Sequence, residues 1–428
     1  MSTAFFWFFI LLMAFGTPVV FALLLGPGLS LLLDGETRYF PALLARFYNG
    51  IDSFPLLAVP FFILAGEIMN AGGITQSIVR FAQSLVGHVR GGLAQVNVVS
   101  SMIFAGISGS AVADASAIGK MLIPAMEREG YPRPFAAAIT AAAAVVGPII
   151  PPSGIMVLYG FVMNVSIGAL FAAGIVPGLM IGLGLMATIR LLATRYNLPV
   201  SRPRASWSER SQAFRSAWLA MLLPVILLGG MLSGIFTATE AASVAVAYAL
   251  LVTIFIQRNV GRTELIAIFK ATALQSGVIL LLVGAAVTLG WLVTVSGLAK
   301  EIADFMLSIT DNVTGLLFLL NILLFIIGMF LDAGPAILIL GPVLSPVFLE
   351  LGVDPVHFAI IMCVNLTIGL ATPPMGLLLF VTASVARERV EQIVRALLPL
   401  LAVEVVVIFI ITFFPSLVLT LPRWLGLM

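Results

Sequence analysis

The sequence predicts an all-α membrane protein that crosses the bilayer many times and contains two inverted-topology repeats. Of its 428 residues, 61% are hydrophobic and 9% are charged, whereas a soluble globular protein carries roughly 25% charged residues. Charge-free stretches such as 134–189 and 355–386 can each hold one or more spans of about 20 residues. The two halves of the chain also match each other. These three observations exclude a soluble globular enzyme.

Charge and cysteine content exclude further classes. The formal net charge of +2 is too small for a nucleic-acid binder, which needs a dense basic face. Cys363 is the one cysteine in the sequence, so the chain has neither a disulfide framework nor a cysteine metal cluster. The apolar N-terminus lacks a basic n-region and a clear cleavage site, and we therefore interpret it as a retained span, not a signal peptide.

Glycine and proline positions in the two halves keep a constant offset. At an offset of 222 residues, glycines and prolines coincide at eight positions, and an offset of 224 continues the match upstream. The pairs at 222 are Gly106 with Gly328, Gly119 with Gly341, Pro124 with Pro346, Gly130 with Gly352, Gly147 with Gly369, Pro151-Pro152 with Pro373-Pro374, and Gly154 with Gly376. The pairs at 224 are Gly73 with Gly297, Ile78 with Ile302, Phe81 with Phe305, Ser84 with Ser308, Gly91 with Gly315, and Asn97 with Asn321.

The matched segments differ in basic charge, which indicates that the two repeats enter the membrane from opposite sides. Segment 127–133 contains two arginines and its mate 349–355 contains no basic residue, whereas Arg387, Arg389 and Arg395 match an uncharged stretch, 165–175, in the first half. Six arginines fall within 190–215, which the positive-inside rule places in the cytoplasm. Inverted repeats are typical of secondary transporters, whose binding sites lie near the bilayer midplane.

The first repeat is predicted over 1–190. Its glycine, proline and charge positions predict these elements in order: two short helices within 4–33 that turn at Gly16-Thr17-Pro18, an interfacial segment 35–53, a span 55–71, an amphipathic interfacial helix 74–89, a helical hairpin of about 92–128, a broken helix 134–163 and a span 168–190.

The second repeat is predicted over 216–428, after a cytoplasmic connecting loop 191–215. It contains, in order, spans 217–235, 239–257 and 270–294, an interfacial helix 297–311, a hairpin of about 314–350, a broken helix 355–385 and a last span 397–421.

Double prolines predict the two helix breaks. Pro151-Pro152 and Pro373-Pro374 each lack the N–H groups that continue a helix, and a proline disfavours helical conformation at the residue before it. We expect this to free the carbonyls four residues back, at Gly147 and Pro148 and at Gly369 and Leu370. Free carbonyls at membrane depth are tolerated only where they face protein, water or an ion, and Ser153 and Thr372 add hydroxyls beside the breaks.

Polar turns predict the tips of the two hairpins. The glycines and serines of 106–116 allow a tight turn, and Ser110 or Asp114 can cap the helix that follows. The equivalent turn is 331–335, which contains Asp332. A carboxylate at membrane depth is costly and is a functional hypothesis by default. Capping and ion or substrate binding remain compatible roles for both aspartates.

Other polar residues carry weaker signals. Glu67, Glu240 and Glu404 are single acids for which an interhelical hydrogen bond is the simplest role. Lys120 either extends to the interface or pairs with Asp114, and the sequence leaves both readings open. Asn365 precedes the second break, on a side that could face a cation.

These motifs resemble the large membrane subunit of tripartite ATP-independent periplasmic (TRAP) transporters over nearly the whole chain. The matching motifs are Gly106 to Asp114, Gly147-Pro148, Pro151 to Gly154 and Ala371 to Gly376. The resemblance implies the ion-transporter superfamily fold and sodium-driven import of an organic acid, such as a sialic acid or a C4-dicarboxylate, by an elevator mechanism. It also implies a location in the bacterial inner membrane, a small membrane subunit, a periplasmic substrate-binding protein and two or more coupled sodium ions.

The resemblance also suggests binding residues. It implies one sodium site among Ser108, Ser110 and the carbonyls from Gly147 to Pro152, including Ile150, and another among Asp332, Gly334, Gly369, Thr372 and Pro374. It places the carboxylate substrate between the hairpin tips, with Asp114, Ser153 and Asn365 as candidate contacts.

Two alternatives compete with this reading. A stand-alone sodium- or proton-coupled dicarboxylate carrier shares the inverted-repeat plan but needs no binding protein. An intramembrane aspartyl protease would need Asp114 and Asp332 close enough to share a proton, and their non-equivalent repeat positions disfavour it.

Overall fold

The computed structural model describes residues 4–195, 198–199, 203–310 and 312–428. Within these ranges the chain is helical without strands, as the sequence predicts. Seven of the described helices are long and apolar enough to cross a membrane. The protein is therefore an all-helical, multi-pass membrane protein.

The first half of the described chain forms ten α-helices. They are α1 (Ala4–Ala14), α2 (Val19–Leu33), α3 (Phe40–Ile51), α4 (Ala58–Ala71), α5 (Ile74–Val86), α6 (Gly92–Ser108), α7 (Ala111–Arg128), α8 (Arg133–Ala144), α9 (Gly154–Val162) and α10 (Ile167–Arg195). A 3₁₀ turn, Phe54–Leu57, leads into α4.

The second half forms ten more. They are α11 (Trp207–Leu232), α12 (Ala238–Leu250), α13 (Arg262–Ser296), α14 (Leu298–Ile309), α15 (Val313–Gly328), α16 (Ala333–Glu350), α17 (Pro355–Gly369), α18 (Leu377–Ala386), α19 (Val390–Phe413) and α20 (Pro415–Trp424). A π-helical turn, Leu251–Ile256, follows α12.

Three sequence-based boundaries are wrong. The connecting segment is shorter than 191–215, because α10 continues to Arg195 and Ser206 starts α11 through a capping box with Glu209. Helix α13 begins at Arg262, eight residues before the predicted span. The predicted span 397–421 ends instead at Phe413, because Pro415 disfavours helical conformation at Phe414. Arg202 and residue 311, the end of the predicted interfacial helix, lie outside the described residues.

Each hairpin packs against helices from both halves of the chain. We call α6–α7 hairpin one and α15–α16 hairpin two. Asn97 of α6 donates to Thr140 of α8 at 2.7 Å, and α7 contacts α18. In the other half, Asn365 of α17 donates to Asn321 of α15 at 2.6 Å, and α16 contacts α9. The broken helix α8–α9 thus runs from hairpin one to hairpin two, and α17–α18 runs in the opposite sense.

A second group of helices surrounds the hairpins. Helix α4 packs on α12, and α13 packs on α2, α3 and α4. We call α4 and α13 the scaffold helices. Glycines allow close approach to the hairpins: a Cβ on Gly66 of α4 would lie 3.2 Å from the carbonyl oxygen of Ile107. The tip of hairpin one is therefore held directly against α4.

We predict that Gly174→Ala destabilises the fold. A Cβ at Gly174 of α10 would lie 2.5 Å from the carbonyl oxygen of Ile149 in the first break, and overpacking of this kind costs about 1–3 kcal/mol. Thermal unfolding of the purified protein in detergent should show a lower midpoint. Gly277→Ala is the matched control, since nothing lies within 4 Å of its Cβ position. Equal midpoints for the two variants would contradict the packing described here.

Candidate ion and substrate site

Two adjoining cavities lie between the hairpin tips and the scaffold helices. Their volumes are about 160 Å³ and about 450 Å³. The lining comes from both tips, from α4 and from α13. The six residues that line both cavities are Ile63, Ser108, Ser110, Val112, Gln275 and Asp332.

The tip of hairpin one is a tight turn at Gly109. Gly109 has a φ of 58°, and a Cβ there would lie 2.8 Å from the carbonyl oxygen of Pro152. Only glycine adopts this conformation without strain while leaving room for the first break. Ser110 caps α7 by accepting a hydrogen bond from the N–H of Ala113 at 3.4 Å, and its own N–H donates to Ser108 Oγ at 3.2 Å.

Asp114 lies beneath this tip and not in the cavities. Its side chain is fully buried and accepts a hydrogen bond from Ser108 Oγ. Its other oxygen, Oδ2, accepts no hydrogen bond from the described residues and lies against Gly147, where a Cβ would overlap it. The structure thus places Asp114 with the first break instead of at the substrate position inferred from the sequence. Asp332 lines the cavities and accepts from Ala333, and in the described chain no hydrogen bond joins it to Asp114, so the two aspartates do not form a protease-like pair.

The first break leaves a different set of carbonyls free from the set that the double proline predicts. Ser153 Oγ donates to the carbonyl of Pro148 at 2.5 Å and also caps α9. Ser153 is therefore buried, and its hydroxyl is already hydrogen-bonded within the protein. Its neighbours Pro152 and Gly154 line the smaller cavity. In the described chain, the carbonyls of Gly147, Ile150 and Pro152 accept none of the hydrogen bonds that close the break.

The second break differs in detail. The prediction that the Gly369 and Leu370 carbonyls are free is wrong, because they accept the N–H groups of Thr372 and Leu378, each at 2.9 Å. Thr372 Oγ1 donates to the carbonyl of Ile368 at 2.9 Å and is buried. A 3₁₀-type bond at Gly369 and a bond from a residue eight positions later at Leu370 therefore satisfy part of the backbone that the prolines open, although each carbonyl keeps a second lone pair.

The tip of hairpin two brings Asp332 into the cavity. Asp332 caps α16 by accepting a hydrogen bond from the N–H of Ala333 at 2.8 Å. The residue as a whole is exposed. Gly334 and Leu370 line the same cavity, so the second tip and the second break meet there. Thr372 and Pro374 are not among the residues that line the two cavities.

Asn365 does not reach the cavities. It is fully buried and donates to Asn321 at 2.6 Å and to the carbonyl of Ile361 at 2.8 Å. Asn321 in turn contacts Thr412 of α19. The structure thus places Asn365 in a polar network that joins three helices.

The scaffold supplies lining residues that sequence reasoning missed. Gln275 of α13 lines both cavities, and Glu67 and Asn70 of α4 line the larger one. Gln275 could have been suspected as a lone amide in a long apolar helix. The ionisable residues that line the two cavities in the described chain are Glu67 and Asp332, both acidic. An anion in these cavities meets no basic side chain.

The larger cavity extends along hairpin one, away from hairpin two. It follows α4 to Asn70 and α7 to Ser116. The base of hairpin one lies beside the arginine-rich connecting segment, because the N–H of Gly91 donates to the carbonyl of Pro199 at 3.1 Å. The cavity therefore extends toward the side of the membrane on which this segment lies.

We predict different thiol accessibility for Gln275 and Asn365. In a Cys363→Ala background, Gln275→Cys should react with a membrane-impermeant thiol reagent, because the position lines the cavity. Asn365→Cys should stay unmodified over the same time. The measurement is mass spectrometry of inside-out vesicles. Equal labelling of both positions would contradict the placement of Asn365.

Comparison with known proteins identifies the family. Residues 6–417 match the model of the tripartite ATP-independent periplasmic transporter, DctM component. The sialic acid TRAP transporter large permease protein of Vibrio cholerae is 41% identical over 95% of both chains. The isethionate TRAP transporter permease protein of Oleidesulfovibrio alaskensis is 40% identical over 96% of this chain and 65% of its own length.

A solved structure supports the fold. The YdaH transporter of Alcanivorax borkumensis superimposes with a TM-score of 0.66 at 16% identity, over 90% of this chain and 89% of that one. The two proteins therefore share a fold at a low sequence identity. The chain is a transporter permease and not an enzyme: it belongs to the DctM family of large membrane subunits of tripartite ATP-independent periplasmic transporters.

Proposed function

We propose that this protein is the permease subunit of a sodium-coupled importer of an organic acid in the bacterial inner membrane. The observation that carries the proposal is the meeting of two hairpin tips and two helix breaks around cavities that contain acidic and hydroxyl oxygens but no basic side chain. Oxygen ligands of this kind suit a hard cation.

The first sodium site lies at hairpin one and the first break. It combines Ser108, Ser110 and the carbonyls of Gly147, Ile150 and Pro152. Asp114 joins this site in our proposal, because its free oxygen lies against Gly147. A buried carboxylate oxygen without a partner is costly, and a bound cation would satisfy it.

The second sodium site lies at hairpin two and the second break. It combines Asp332 and Gly334 at the tip with Gly369, Thr372 and Pro374 at the break. The two sites are not equivalent, because Asp114 is enclosed whereas Asp332 faces the cavity. We therefore expect different sodium affinities.

Sodium also accounts for how an anion can bind here. The N-termini of α7, α9 and α16 begin at cavity-lining residues, and helix N-termini attract anions. The partial positive charges of these N-termini favour an anion, whereas the carboxylates of Glu67 and Asp332 in the cavity wall repel it. Sodium ions bound at the tips would offset the charge of these carboxylates. We therefore propose that sodium binds before the organic acid. The relatives are named for sialic acid, C4-dicarboxylates and isethionate, a sulfonate. They support an organic acid as the substrate class, and we propose a carboxylate such as a sialic acid or a C4-dicarboxylate.

Contacts between the halves support an elevator mechanism. Each broken helix passes from one hairpin to the other in opposite senses, as an inverted repeat requires. The hairpins and broken helices would form the mobile unit and slide along α4 and α13. Since the arginine-rich segment is assigned to the cytoplasm, the cavity beside it corresponds to an inward-facing conformation. The membrane potential adds about 2.3 kcal/mol per charge moved inward per 100 mV.

Two partners complete the system in this proposal. A periplasmic substrate-binding protein would deliver the acid, and a small membrane subunit would flank the scaffold. The isethionate relative is named a permease protein DctMQ, and this chain covers 65% of it. A fused small subunit in the remaining part of that relative would explain the difference in length.

The sodium proposal predicts that tip substitutions weaken sodium dependence. Ser108→Ala, Ser110→Ala and Asp332→Ala should each raise the sodium concentration for half-maximal uptake by roughly 5- to 30-fold, since each removes about 1–2 kcal/mol of ligand interaction. Uptake into proteoliposomes at varied sodium provides the measurement. Thr188→Ala is the hydroxyl control, because Thr188 bonds only its own helix at Gly184. Unchanged sodium dependence in all three tip variants would disprove the assignment.

The tripartite proposal predicts that uptake requires the binding protein. Proteoliposomes containing this chain and the small subunit should accumulate a radiolabelled acid only when the cognate periplasmic protein is added. Fast uptake without that protein would favour a stand-alone dicarboxylate carrier instead.

A further inference from the structure

The two hairpins lie at different heights against their scaffold helices. A Cβ on Gly66 of α4 would lie 3.4 Å from the Cα of Ser108, at the tip of hairpin one. A Cβ on Gly290 of α13 would lie 3.1 Å from the Cβ of Pro342, which follows the cap Asp332 by ten residues. One scaffold helix therefore meets a tip, and the other meets the middle of a hairpin helix.

The repeat offsets make these two contacts comparable. The offset of 224 pairs Gly66 with Gly290, and the offset of 222 pairs the caps Ser110 and Asp332. The same scaffold glycine thus has two different partners in the two repeats. In an inverted repeat, this asymmetry is what distinguishes a conformation open to one side from its opposite.

If each repeat adopts the contact that the other repeat now makes, the result is the opposite conformation. Gly290 would then meet the tip of hairpin two, and Gly66 would meet α7 at Lys120, the counterpart of Pro342 at offset 222. Ten residues of α-helix span about 15 Å at 1.5 Å per residue. The mobile unit would move by about this distance along α4.

Lys120 lies on the face of α7 that this movement would carry past α4. Val112 and Ser116 line the cavity together with Glu67, and Lys120 follows them at the next i+4 position on the same helical face. Lys120 is exposed and Glu67 partly exposed. Neither residue forms an ion pair with another residue that the structure describes.

We infer that Glu67 and Lys120 form an ion pair in the opposite, outward-facing conformation and thereby set the height at which the mobile unit stops. The inference rests on the elevator mechanism of the proposed function. Both are positioning residues, since they would hold the hairpin without touching the acid there. An unpaired charge at membrane depth is costly, so pairing favours this one height over its neighbours.

The surrounding charges support the pairing. In the present conformation Gly290 and Trp291 line a crevice with residues of α16. Exchange of the repeats would place Glu67, the counterpart of Trp291, in the equivalent crevice along α7. The other acid there is Glu127, the counterpart of Leu349, and Glu127 already has Arg133 at 3.5 Å. The exchange places two cations there, Lys120 and Lys270, the counterpart of Arg46 at offset 224. Lys270 belongs to the scaffold helix α13, so Lys120 is the cation whose distance from Glu67 changes with the height of the mobile unit.

Cross-linking tests the predicted height. In a Cys363→Ala background, Glu67→Cys with Lys120→Cys should be cross-linked by mercury and lose uptake, and a thiol should restore uptake. The mirror pair Trp291→Cys with Pro342→Cys should cross-link in the inward-facing conformation, because both positions line one crevice. Cross-linking of the mirror pair alone, in a chain that transports, would overturn the inference and leave the elevator mechanism standing.

Charge exchange provides a second test that a purely structural role would fail. Glu67→Lys should lower initial uptake by about tenfold or more, because like charges then meet. Glu67→Lys with Lys120→Glu should recover uptake to within about threefold of the parent, since the two sites are coupled. Glu67→Lys with Arg128→Glu is the control and should show no recovery. No recovery in either pair would overturn the inference, whereas a parent chain without sodium-dependent uptake would overturn the proposed function itself.

Discussion

The requirement that backbone polar groups be satisfied within the membrane determines most of this structure. A helix meets the requirement by itself, and a broken helix does not. The two double prolines interrupt their helices and remove helical hydrogen bonds from nearby carbonyls. Neighbouring groups replace some of these bonds. A serine hydroxyl donates to one carbonyl at the first break, and backbone N–H groups donate to the carbonyls of Gly369 and Leu370 at the second. The carbonyls that remain beside Asp114 and the hairpin tips are those available to a cation. The proposed chemistry of the site thus follows from incomplete satisfaction of the backbone.

Glycines allow the hairpins to pack closely against the two helix breaks, which brings tips and breaks together in one site. Gly109 lets the first tip approach Pro152, and Gly328 lets α15 approach the second break, where a Cβ would lie 3.0 Å from the carbonyl oxygen of Leu366. Side chains at these positions would push the tips away from the breaks. The tips and the scaffold helices line the same cavities, so each cavity has one wall from each of two helix groups. An anion between them would contact both groups at once, which suits a carrier that moves one group against the other.

Much of the fold could be predicted from the sequence because its signals are strong and local. Charge-free stretches and glycine-proline registers indicated the order of the helices, both hairpin turns and both breaks. Predicted helix boundaries were wrong where the first turns of a helix are polar and follow a cap, as after Ser206. They were also wrong where one proline divides an apolar run, as at Pro415. The tip residues Ser108, Ser110 and Asp332 do line the cavities, and their roles in ion binding stay predictions. Asp114, Ser153, Asn365 and Gln275 were misplaced or missed, because helical facing and tertiary hydrogen bonds decide which polar side chains reach a cavity.

The packing of each hairpin against the other half of the chain has a consequence for biosynthesis. Gly119 of hairpin one lies against Val385 of α18, which leaves the ribosome roughly 270 residues later, or after tens of seconds at about 5–20 residues per second. Throughout that interval the first hairpin, with its buried aspartate, lacks its final neighbour in the bilayer. The nascent chain must therefore hold a polar helical turn in lipid, in the translocon or with a chaperone until synthesis is nearly complete. The interlocking that creates the site also delays its assembly to the end of translation.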